Sequence, residues 1–437
     1  MPDPIVARIE DVPPRLLLPH GSGAPERLAT LDVLRLPQTV PPGVLGLAVD
    51  DTDQPFLLPL VDDGVTLRRS RAGDGWFAAL VELGTSPDDR GAWIVRPMDA
   101  PDPADLLGAL VEEPVSSSGV SETVDVAGRY RVRLRLQPQR LTRVPIQPWR
   151  HIAHSAQDLV AGGRFDVVWR DESGAAVGPV ALVADARTGR VTAEMLNGLA
   201  TQHLRGVDTA TSTLSLATAL GEVLARVHHA LATPSAESVT PTSVLDAEQA
   251  ALLERRVKDV LSEAVVLTET GVRETLQGHM ANLRGWFGEL AQSEGTPTLP
   301  AVPLGSLEQY VEVDGRLALD PLLVLPGEGP HLAAMDVATL LREVTHVAHG
   351  ALRRLVSGGE DVPAERVPTW VAAVRETVLE RYEMTLAAYG QESLFDQRLL
   401  RAFEVEAECR ALIYASRELP TWSSVPDAGL VELLSPW

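Results

Sequence analysis

The sequence of 437 residues is poor in several residue types, and each scarcity excludes a class of protein. It has one lysine, Lys258, and one cysteine, Cys409, so no disulfide can form within the chain. The formal net charge of −22 argues against nucleic acid or an anionic membrane as a partner, because both are themselves negative. No apolar run reaches the roughly 18 residues of a membrane-spanning helix, and the N-terminus lacks a signal-peptide pattern. We therefore expect a cytoplasmic globular protein.

The first half of the chain has the patterns of β-structure. Four short apolar runs between residues 29 and 98 end at Pro, Asp or Gly and predict strands, the last of them over GWFAALVELG at 75–84. DPADLLGALVEE at 102–113 predicts a helix, and the polar stretch 114–122 predicts a linker.

Two further segments also predict strands. RYRVRLRL at 129–136 alternates apolar side chains with arginines, which is typical of a strand with one buried face. RFDVVWRDESGAAVGPVALVADA at 164–186 predicts a hairpin that turns at Asp171-Glu172-Ser173-Gly174.

The period of the pattern changes after about residue 200. Residues 215–232 place apolar side chains at helical spacing. Helical patterns continue to about residue 292 and return at about 332–357, 364–389 and 394–418, after a strand-like insert at 307–320.

This organisation predicts an α+β protein of three parts. They are an N-terminal β-rich cap at residues 1–115, a β-rich small lobe at 116–205 and a mostly helical C-terminal lobe at 206–437.

Several segments resemble, in the right order, parts of actinobacterial maltokinases and glucosamine kinases. AFEVEAECRALIYASRELPTWSSVPDAGL at 402–430 resembles their last helix and tail, and RYRVRLRL resembles their small-lobe strand. MDVATLLREVTHVAHGAL at 335–352 resembles the helix that follows their metal-binding aspartate. The resemblance implies a bilobal protein-kinase-like fold, of the aminoglycoside phosphotransferase type, with an N-terminal cap. It also implies transfer of phosphate from ATP to a sugar.

The resembled family has a catalytic loop of the form H-G-D-x-H-x-G-Q. Here the similar stretch is LGSLEQY at 304–310, in which Ser306 occupies the position of the catalytic aspartate. A hydroxyl does not accept a proton as a carboxylate does, and losing general-base assistance costs about 10²- to 10⁴-fold in rate. Glu308, two residues later, is the alternative base.

The positions that would hold ATP and metal are also altered. By resemblance Asp320 is the metal-binding aspartate, although Pro321 follows it and it could instead simply end a strand. Arg133 stands where the family has its phosphate-binding lysine. An arginine can bind phosphate there, or it can belong to a solvated edge of the sheet.

The substrate side resembles the family more closely. Glu408, Arg410, Tyr414 and Trp422 fall near positions that line the sugar pocket. The alternative is an ordinary amphipathic helix. Glu343, His346 and His349 recur every three residues but lack the order of a zinc motif, so we expect them to belong to a helix surface.

These changes lead to two hypotheses. The first is a pseudokinase-like protein that has lost phosphotransfer and uses no cofactor. It would bind a sugar or a partner, such as an enzyme of glucan or amino-sugar metabolism. The alternative is an active, divergent sugar kinase that uses ATP and Mg²⁺, with Arg133 in place of the lysine and Glu308 in place of the base.

Overall fold

The chain divides into two compact units in a computed structural model. The N-terminal unit comprises Met1–Ile146 and Gly162–Thr188, and the C-terminal unit comprises Gln147–Ala161 and Gly189–Trp437. The structure describes residues 4–18, 25–36, 42–83, 92–96, 112–117, 120–142, 147–162, 164–185, 189–236, 238–267 and 270–434. Within these ranges the first unit is mainly β and the second mainly helical, as the predicted α+β class requires. The three-part division of the sequence stays a prediction.

The N-terminal unit holds two antiparallel sheets in the described ranges. The elements of this unit are α1 (Pro4–Glu10), α2 (Pro14–Leu17), β1 (Ala29–Arg35), β2 (Gly43–Val49), β3 (Pro55–Asp62), β4 (Leu67–Arg69), α3 (Trp76–Leu83), β5 (Trp93–Arg96), β6 (Glu112–Ser117), β7 (Ser121–Val126), β8 (Tyr130–Arg135), β9 (Arg140–Leu141), β10 (Arg164–Arg170) and β11 (Ala176–Asp185). The first sheet has the order β1-β2-β3-β4, and the second has the order β5-β10-β11-β8-β7-β6 with β9 beside β11.

The first sheet is covered on both faces, and its two central strands, β2 and β3, are correspondingly apolar almost throughout. Every residue of β2 is buried. Leu45 and Leu47 belong to the core that includes α3, whereas Val44 and Ala48 belong to the core that includes α1 and α2. Such two-sided burial explains a continuous apolar run in place of an alternating one.

Two predictions for this unit are wrong. The run at 75–84 forms the helix α3, since a short apolar segment buried on all sides has no periodicity that separates helix from strand. The linker predicted at 114–122 is wrong for its described residues, because Pro114–Ser117 belong to β6 and Ser121 and Glu122 belong to β7, and these two strands pair antiparallel. The helix predicted at 102–113 lies outside the described residues except for its last two, which begin β6. The hairpin of β10 and β11 is confirmed.

The C-terminal unit is built mainly from helices. Its elements are α4 (Pro148–Ser155), β12 (Arg190–Val191), α5 (Thr192–Leu204), α6 (Ala210–Ala232), β13 (Ser243–Val244), α7 (Ala247–Leu267), α8 (Thr270–Gly278), α9 (Met280–Ala291), β14 (Pro297–Thr298), β15 (Tyr310–Val313), β16 (Arg316–Leu319), α10 (Ala333–Ser357), α11 (Arg366–Ala388), α12 (Leu400–Glu418) and α13 (Ser424–Leu434). The hairpin of β15 and β16 joins β12 in a small sheet, and β13 pairs with β14. Across the described residues, no helix is both long and apolar enough to cross a lipid bilayer.

Helices α6 and α11 approach each other very closely at Gly221. A Cβ atom placed there would lie 2.4 Å from the carbonyl oxygen of Val378 and 3.1 Å from the amide nitrogen of Tyr382. Both of these are backbone atoms of α11, which cannot move aside as a side chain can. The missing side chain therefore sets the separation of the two helices.

We expect Gly221→Ala to destabilise the protein by about 1–3 kcal/mol, because the added methyl group overpacks the contact. The usual gain from replacing glycine in a helix, about 1 kcal/mol, is too small to offset this. Gly198→Ala in α5 is the matched control, since its Cβ would meet nothing within 4 Å and should stabilise the protein. Urea unfolding of both variants checks this. Equal stabilisation by the two substitutions would contradict the close approach.

Candidate functional site

The loop before β15 carries Ser306 and is held in one shape by its own hydrogen bonds. The Ser306 amide donates to Gln309 Oε1 at 3.0 Å, and the Gln309 amide donates to the Ser306 carbonyl at 3.1 Å. Gln309 Nε2 in turn donates to the carbonyl oxygens of Pro303 and Leu323 at 2.8 and 3.0 Å. The side-chain amide group of Gln309 therefore stabilises the loop through these hydrogen bonds and is not free to act as a metal ligand.

The same loop rests directly on α10. The Leu304 amide donates to Asp336 Oδ1 at 2.6 Å. A Cβ atom on Gly305 would lie 2.5 Å from Thr339 Cβ and 2.7 Å from the Asp336 carbonyl oxygen, so only glycine fits here. The sequence Leu304-Gly305-Ser306 therefore lies flat against the start of the helix.

Asp336 is the centre of a buried polar network. Its Oδ2 accepts hydrogen bonds from His331 Nε2 at 2.7 Å and His228 Nε2 at 3.1 Å. His228 Nδ1 lies 2.7 Å from the Tyr382 hydroxyl. Burial alone raises the pKa of Asp336, but the two histidines together hold it well below its ordinary value. The carboxylate is thereby fixed in its charged form beneath the loop.

Ser306 faces a second carboxylate of α10, that of Glu343. Ser306 Oγ lies 3.3 Å from Glu343 Oε2, which also accepts the Leu307 amide hydrogen at 2.6 Å. Burial raises the pKa of Glu343 and outweighs the opposing effects of these hydrogen bonds and of the nearby His346. Glu308, the base predicted as an alternative, is exposed.

Asp320 lies beside this loop because of the β15–β16 hairpin. Its amide donates to the Gln309 carbonyl at 2.8 Å, which continues the pairing of the two strands by one residue. Asp320 Oδ1 accepts the Leu322 amide hydrogen at 2.9 Å. The hairpin therefore brings the predicted metal-binding aspartate next to the loop of Ser306, while its role as a ligand stays a prediction.

The four residues predicted on the substrate side are not all brought together. Glu408 is fully buried and accepts hydrogen bonds from Arg342 Nε at 2.5 Å and His346 Nε2 at 2.7 Å. Trp422 packs edge-to-face on His346, with ring centroids 5.3 Å apart. Glu408 and Trp422 therefore both contact His346, and His346 lies one helical turn along α10 from Glu343.

The other two residues lie on an exposed face of α12. Arg410 pairs with Glu406 Oε1 at 2.7 Å, and Tyr414 is 55% exposed. Glu406, which is buried, also pairs with Arg256 of α7, so the Glu406 side chain is directed towards α7. Helical geometry explains the separation from Glu408, because positions two and six residues along a helix point in other directions.

Arg133 lies in β8 of the N-terminal unit, between β7 and β11. It is part-buried next to Arg135, and burial together with the Arg133 charge lowers the pKa of Arg135. Among the described residues neither guanidinium has a hydrogen-bonded or ion-paired partner, whereas Arg131 pairs with Asp125 at 2.7 Å. Two part-buried arginines without an ion-pair partner among the described residues favour binding of an anion. Binding of phosphate by Arg133 stays a prediction.

Sequence reasoning missed the polar residues beneath the loop. Asp336 and His331 were not singled out, and Glu343 was considered only as a zinc ligand. In the described part of the chain no group of three or more His, Cys, Asp and Glu side chains could hold a metal ion. His346 and His349 each pair with a carboxylate, of Glu408 and Glu432. One local signal for Asp336 existed, namely an acidic residue in the first turn of a helix.

Comparison with known proteins finds glucosamine kinases that are similar to this chain. Over 451 aligned residues it is 29% identical to a glucosamine kinase of Streptacidiphilus jiangxiensis, and the match covers 96% of each chain. The chain resembles glucosamine kinases along almost its whole length. A glucosamine kinase of Mycolicibacterium smegmatis is 30% identical over 230 residues, which are 50% of this chain and 53% of that protein. No family model matches the chain.

Solved glucosamine kinase structures share the fold over its whole length. One crystal form has a TM-score of 0.79 at 25% identity and covers 98% of this chain and 99% of its own. A glucosamine kinase in complex with glucosamine, ADP and inorganic phosphate has a TM-score of 0.76 at 24% identity, with 100% of both chains covered. The predicted kinase-like fold with a β-rich N-terminal part and a helical C-terminal part is confirmed.

The comparisons also correct the predicted function. The prediction of a protein without a cofactor is wrong, because its relatives are kinases and one related structure holds ADP. The prediction that phosphotransfer has been lost finds no support, and the alternative of an ATP-dependent sugar kinase is favoured.

Proposed function

We propose that the protein is an ATP-dependent kinase that phosphorylates a hydroxyl group of glucosamine or a closely similar amino sugar. The observation that carries this proposal is the likeness to glucosamine kinases along the whole chain, in sequence as well as in backbone. Glucosamine is preferred over maltose because both relatives described above are glucosamine kinases.

The residues of this chain fit a nucleotide and its metal ion. Mg²⁺ in kinases is commonly held by one or two carboxylates together with substrate phosphates and water, so Asp320 can serve without a second protein ligand. Within the N-terminal unit, taken by itself, the guanidinium groups of Arg133 and Arg135 have no ion-pair partner among the described residues, which suits binding of an anion such as phosphate. When bound, ATP supplies the phosphoryl group and Mg²⁺ neutralises charge that develops on it. The chain itself has to orient the acceptor hydroxyl and remove its proton.

The acceptor sugar is assigned to the neighbourhood of Trp422. This side chain packs edge-to-face on His346, which lies one helical turn along α10 from Glu343. An indole ring offers an apolar face to a pyranose, and the polar groups around it can bind hydroxyls. Glu408 is fully enclosed by its partners, so we assign it to fixing His346 and Trp422 and not to direct contact with the sugar.

Purified protein supplied with ATP and Mg²⁺ is expected to phosphorylate glucosamine, with ADP release in a coupled assay and the product identified by mass spectrometry. Asp320→Asn should lower kcat by about 10²-fold or more, because a fixed carboxylate that holds the metal is lost. Asp314→Asn in the same hairpin is the matched control. Asp314 has a φ of 52°, a conformation that asparagine also tolerates, and should leave the rate unchanged. Absence of ATP-dependent transfer to glucosamine and related sugars would overturn the proposal.

A further inference from the structure

Glu343 differs from the other carboxylates around α10 and α12, because it is part-buried where they are buried and it forms no ion pair in the described structure. Each of the others forms an ion pair or a hydrogen bond with an arginine or a histidine. They are Asp336 with His228 and His331, Glu404 with Arg375 and Arg401, Glu406 with Arg256 and Arg410, and Glu408 with Arg342 and His346. In the described structure Glu343 has only a hydroxyl and an amide as hydrogen-bond donors.

A carboxylate that is partly withdrawn from water and has no ion-pair partner is harder to keep charged. Burial raises the pKa of Glu343, although the nearby His346 opposes this. Carboxylates with a shifted pKa concentrate at functional sites. The part-buried position of Glu343 beside Ser306 therefore favours a role in which it takes up a proton.

The hydroxyl that faces Glu343 belongs to the loop residue at which a proton acceptor is missing. Ser306 Oγ and the Leu307 amide converge on the same oxygen, Oε2, at 3.3 and 2.6 Å. The Ser306 side chain is part-buried and lies one residue after the glycine that presses the loop onto α10. A hydroxyl in this position can accept one hydrogen bond while it donates another.

We propose that Glu343 accepts the proton of the sugar hydroxyl through Ser306, so that the two residues together replace a single aspartate; this inference rests on the proposed kinase function. In the transfer, the sugar oxygen forms a bond to the terminal phosphorus of ATP, and the bond from that phosphorus to the leaving ADP oxygen breaks. The sugar proton passes to Ser306 Oγ while the Ser306 proton passes to Glu343. Atoms and charge balance without any further reactant.

Glu308 is the competing carboxylate, and the structure argues against it. It is exposed, and its charge raises the pKa of Glu343 without contacting Ser306. To reach Ser306, the Glu308 side chain would require the turn at Leu307–Gln309 to break. This turn is held by hydrogen bonds from Gln309 Nε2 to the carbonyl oxygens of Pro303 and Leu323. Glu343 needs no such rearrangement.

A purely structural role, in which Glu343 only anchors the loop, is separable from this one. Glutamine at position 343 keeps an oxygen that can accept the Leu307 amide hydrogen but cannot take up a proton. Glu343→Gln is expected to lower kcat by about 10²- to 10⁴-fold, with KM for ATP and sugar nearly unchanged. Glu380→Gln, on the exposed face of α11, is the matched control and should leave both constants unaltered.

The dependence of kcat/KM on pH gives a second readout that anchoring alone would not change. A base works only when deprotonated, so activity of the wild type should fall as the pH drops through the raised pKa of Glu343. The fall of kcat/KM on the acidic side of the pH profile, called the acidic limb, should therefore occur at a pH above the usual pKa of a glutamate. The residual activity of Glu343→Gln should not show this acidic limb.

Returning a carboxylate to the loop provides the rescue. The double variant Ser306→Asp with Glu343→Gln is expected to recover at least tenfold over Glu343→Gln alone, because the aspartate can accept the proton directly. If Glu343→Gln fails to fold, Glu343→Asp keeps the carboxylate but withdraws it from Ser306 and should show the same loss in kcat.

The outcomes separate the two proposals. A wild-type protein without ATP-dependent transfer contradicts the proposed function itself. An active wild type whose Glu343→Gln variant keeps its rate and its acidic limb overturns only the role of Glu343. A greater loss from Glu308→Gln than from Glu343→Gln would overturn it as well, in favour of Glu308.

Discussion

Glu408→Gln is expected to lower the free energy of unfolding by about 3–5 kcal/mol. The carboxylate is 0% exposed and binds Arg342, which is 2% exposed, so its removal leaves a guanidinium charge buried without a counter-charge. Burial alone raises the pKa of Glu408, but Arg342 and His346 hold it below its ordinary value. The pair is thus charged at neutral pH, and urea unfolding at pH 7 measures the loss.

The controls for this variant separate charge from shape. Glu418→Gln lies at the exposed end of the same helix and should change stability by no more than about 0.5 kcal/mol. Replacing both partners, as Arg342→Met with Glu408→Leu, removes the charges together and should recover most of the stability. A Glu408→Gln variant as stable as the wild type would show that the pair is not buried as described.

Asp336→Asn is expected to cost about 3 kcal/mol and to loosen the loop that carries Ser306. The substitution removes the charge that binds His228 and His331, and hydrogen bonds to a charged group contribute about 1.5–3 kcal/mol each. It also weakens the acceptor of the Leu304 amide. Urea unfolding measures the first effect, and faster hydrogen exchange at the Leu304 amide measures the second.

The effect of Asp336 should also depend on pH with a definite sign. Its pKa in the folded protein lies below the ordinary value of 3.8, so the folded state favours the charged form. The stabilisation is complete above pH 3.8 and is lost as the pH falls further towards the folded-state pKa. Asp259→Asn, exposed in α7, is the control and should follow the wild type throughout. Unchanged protection of the Leu304 amide in Asp336→Asn would contradict the coupling.

The sequence was informative where a pattern is local. The hairpin of β10 and β11 and the helices α6, α10, α11 and α12 follow from apolar periodicity and turn residues that lie within each segment. The helix α3 was mistaken for a strand because its eight residues are almost all buried, and burial on every side removes the period that distinguishes the two. The stretch at 114–122 was taken for a linker because serine and glycine are typical of loops, although Ser116 and Ser117 lie in β6 and pair with Thr123 and Glu122 of β7.

The candidate site could be predicted only in part, because its contacts are distant in sequence. Ser306 was found through its place in a loop, but Glu343 is 37 residues away and no local pattern joins them. His228 and Asp336 are 108 residues apart. Glu408 and Arg410 are neighbours in sequence, yet one is enclosed and the other faces outward. Such a distinction depends on which helices surround α12, which a single sequence does not reveal.

The carboxylates of α12 also fix how that helix is turned about its own axis. Glu404 and Glu408 face arginines of α11 and α10 on one side, and Glu406 faces an arginine of α7 on the opposite side. Rotating α12 by one position, about 100°, would separate all three from their partners at once. Apolar packing around the helix would tolerate several orientations, but three buried carboxylates without cationic partners would be strongly unfavourable. Ion pairs on two opposite sides of α12 therefore determine the orientation of the helix that places Glu408 next to His346.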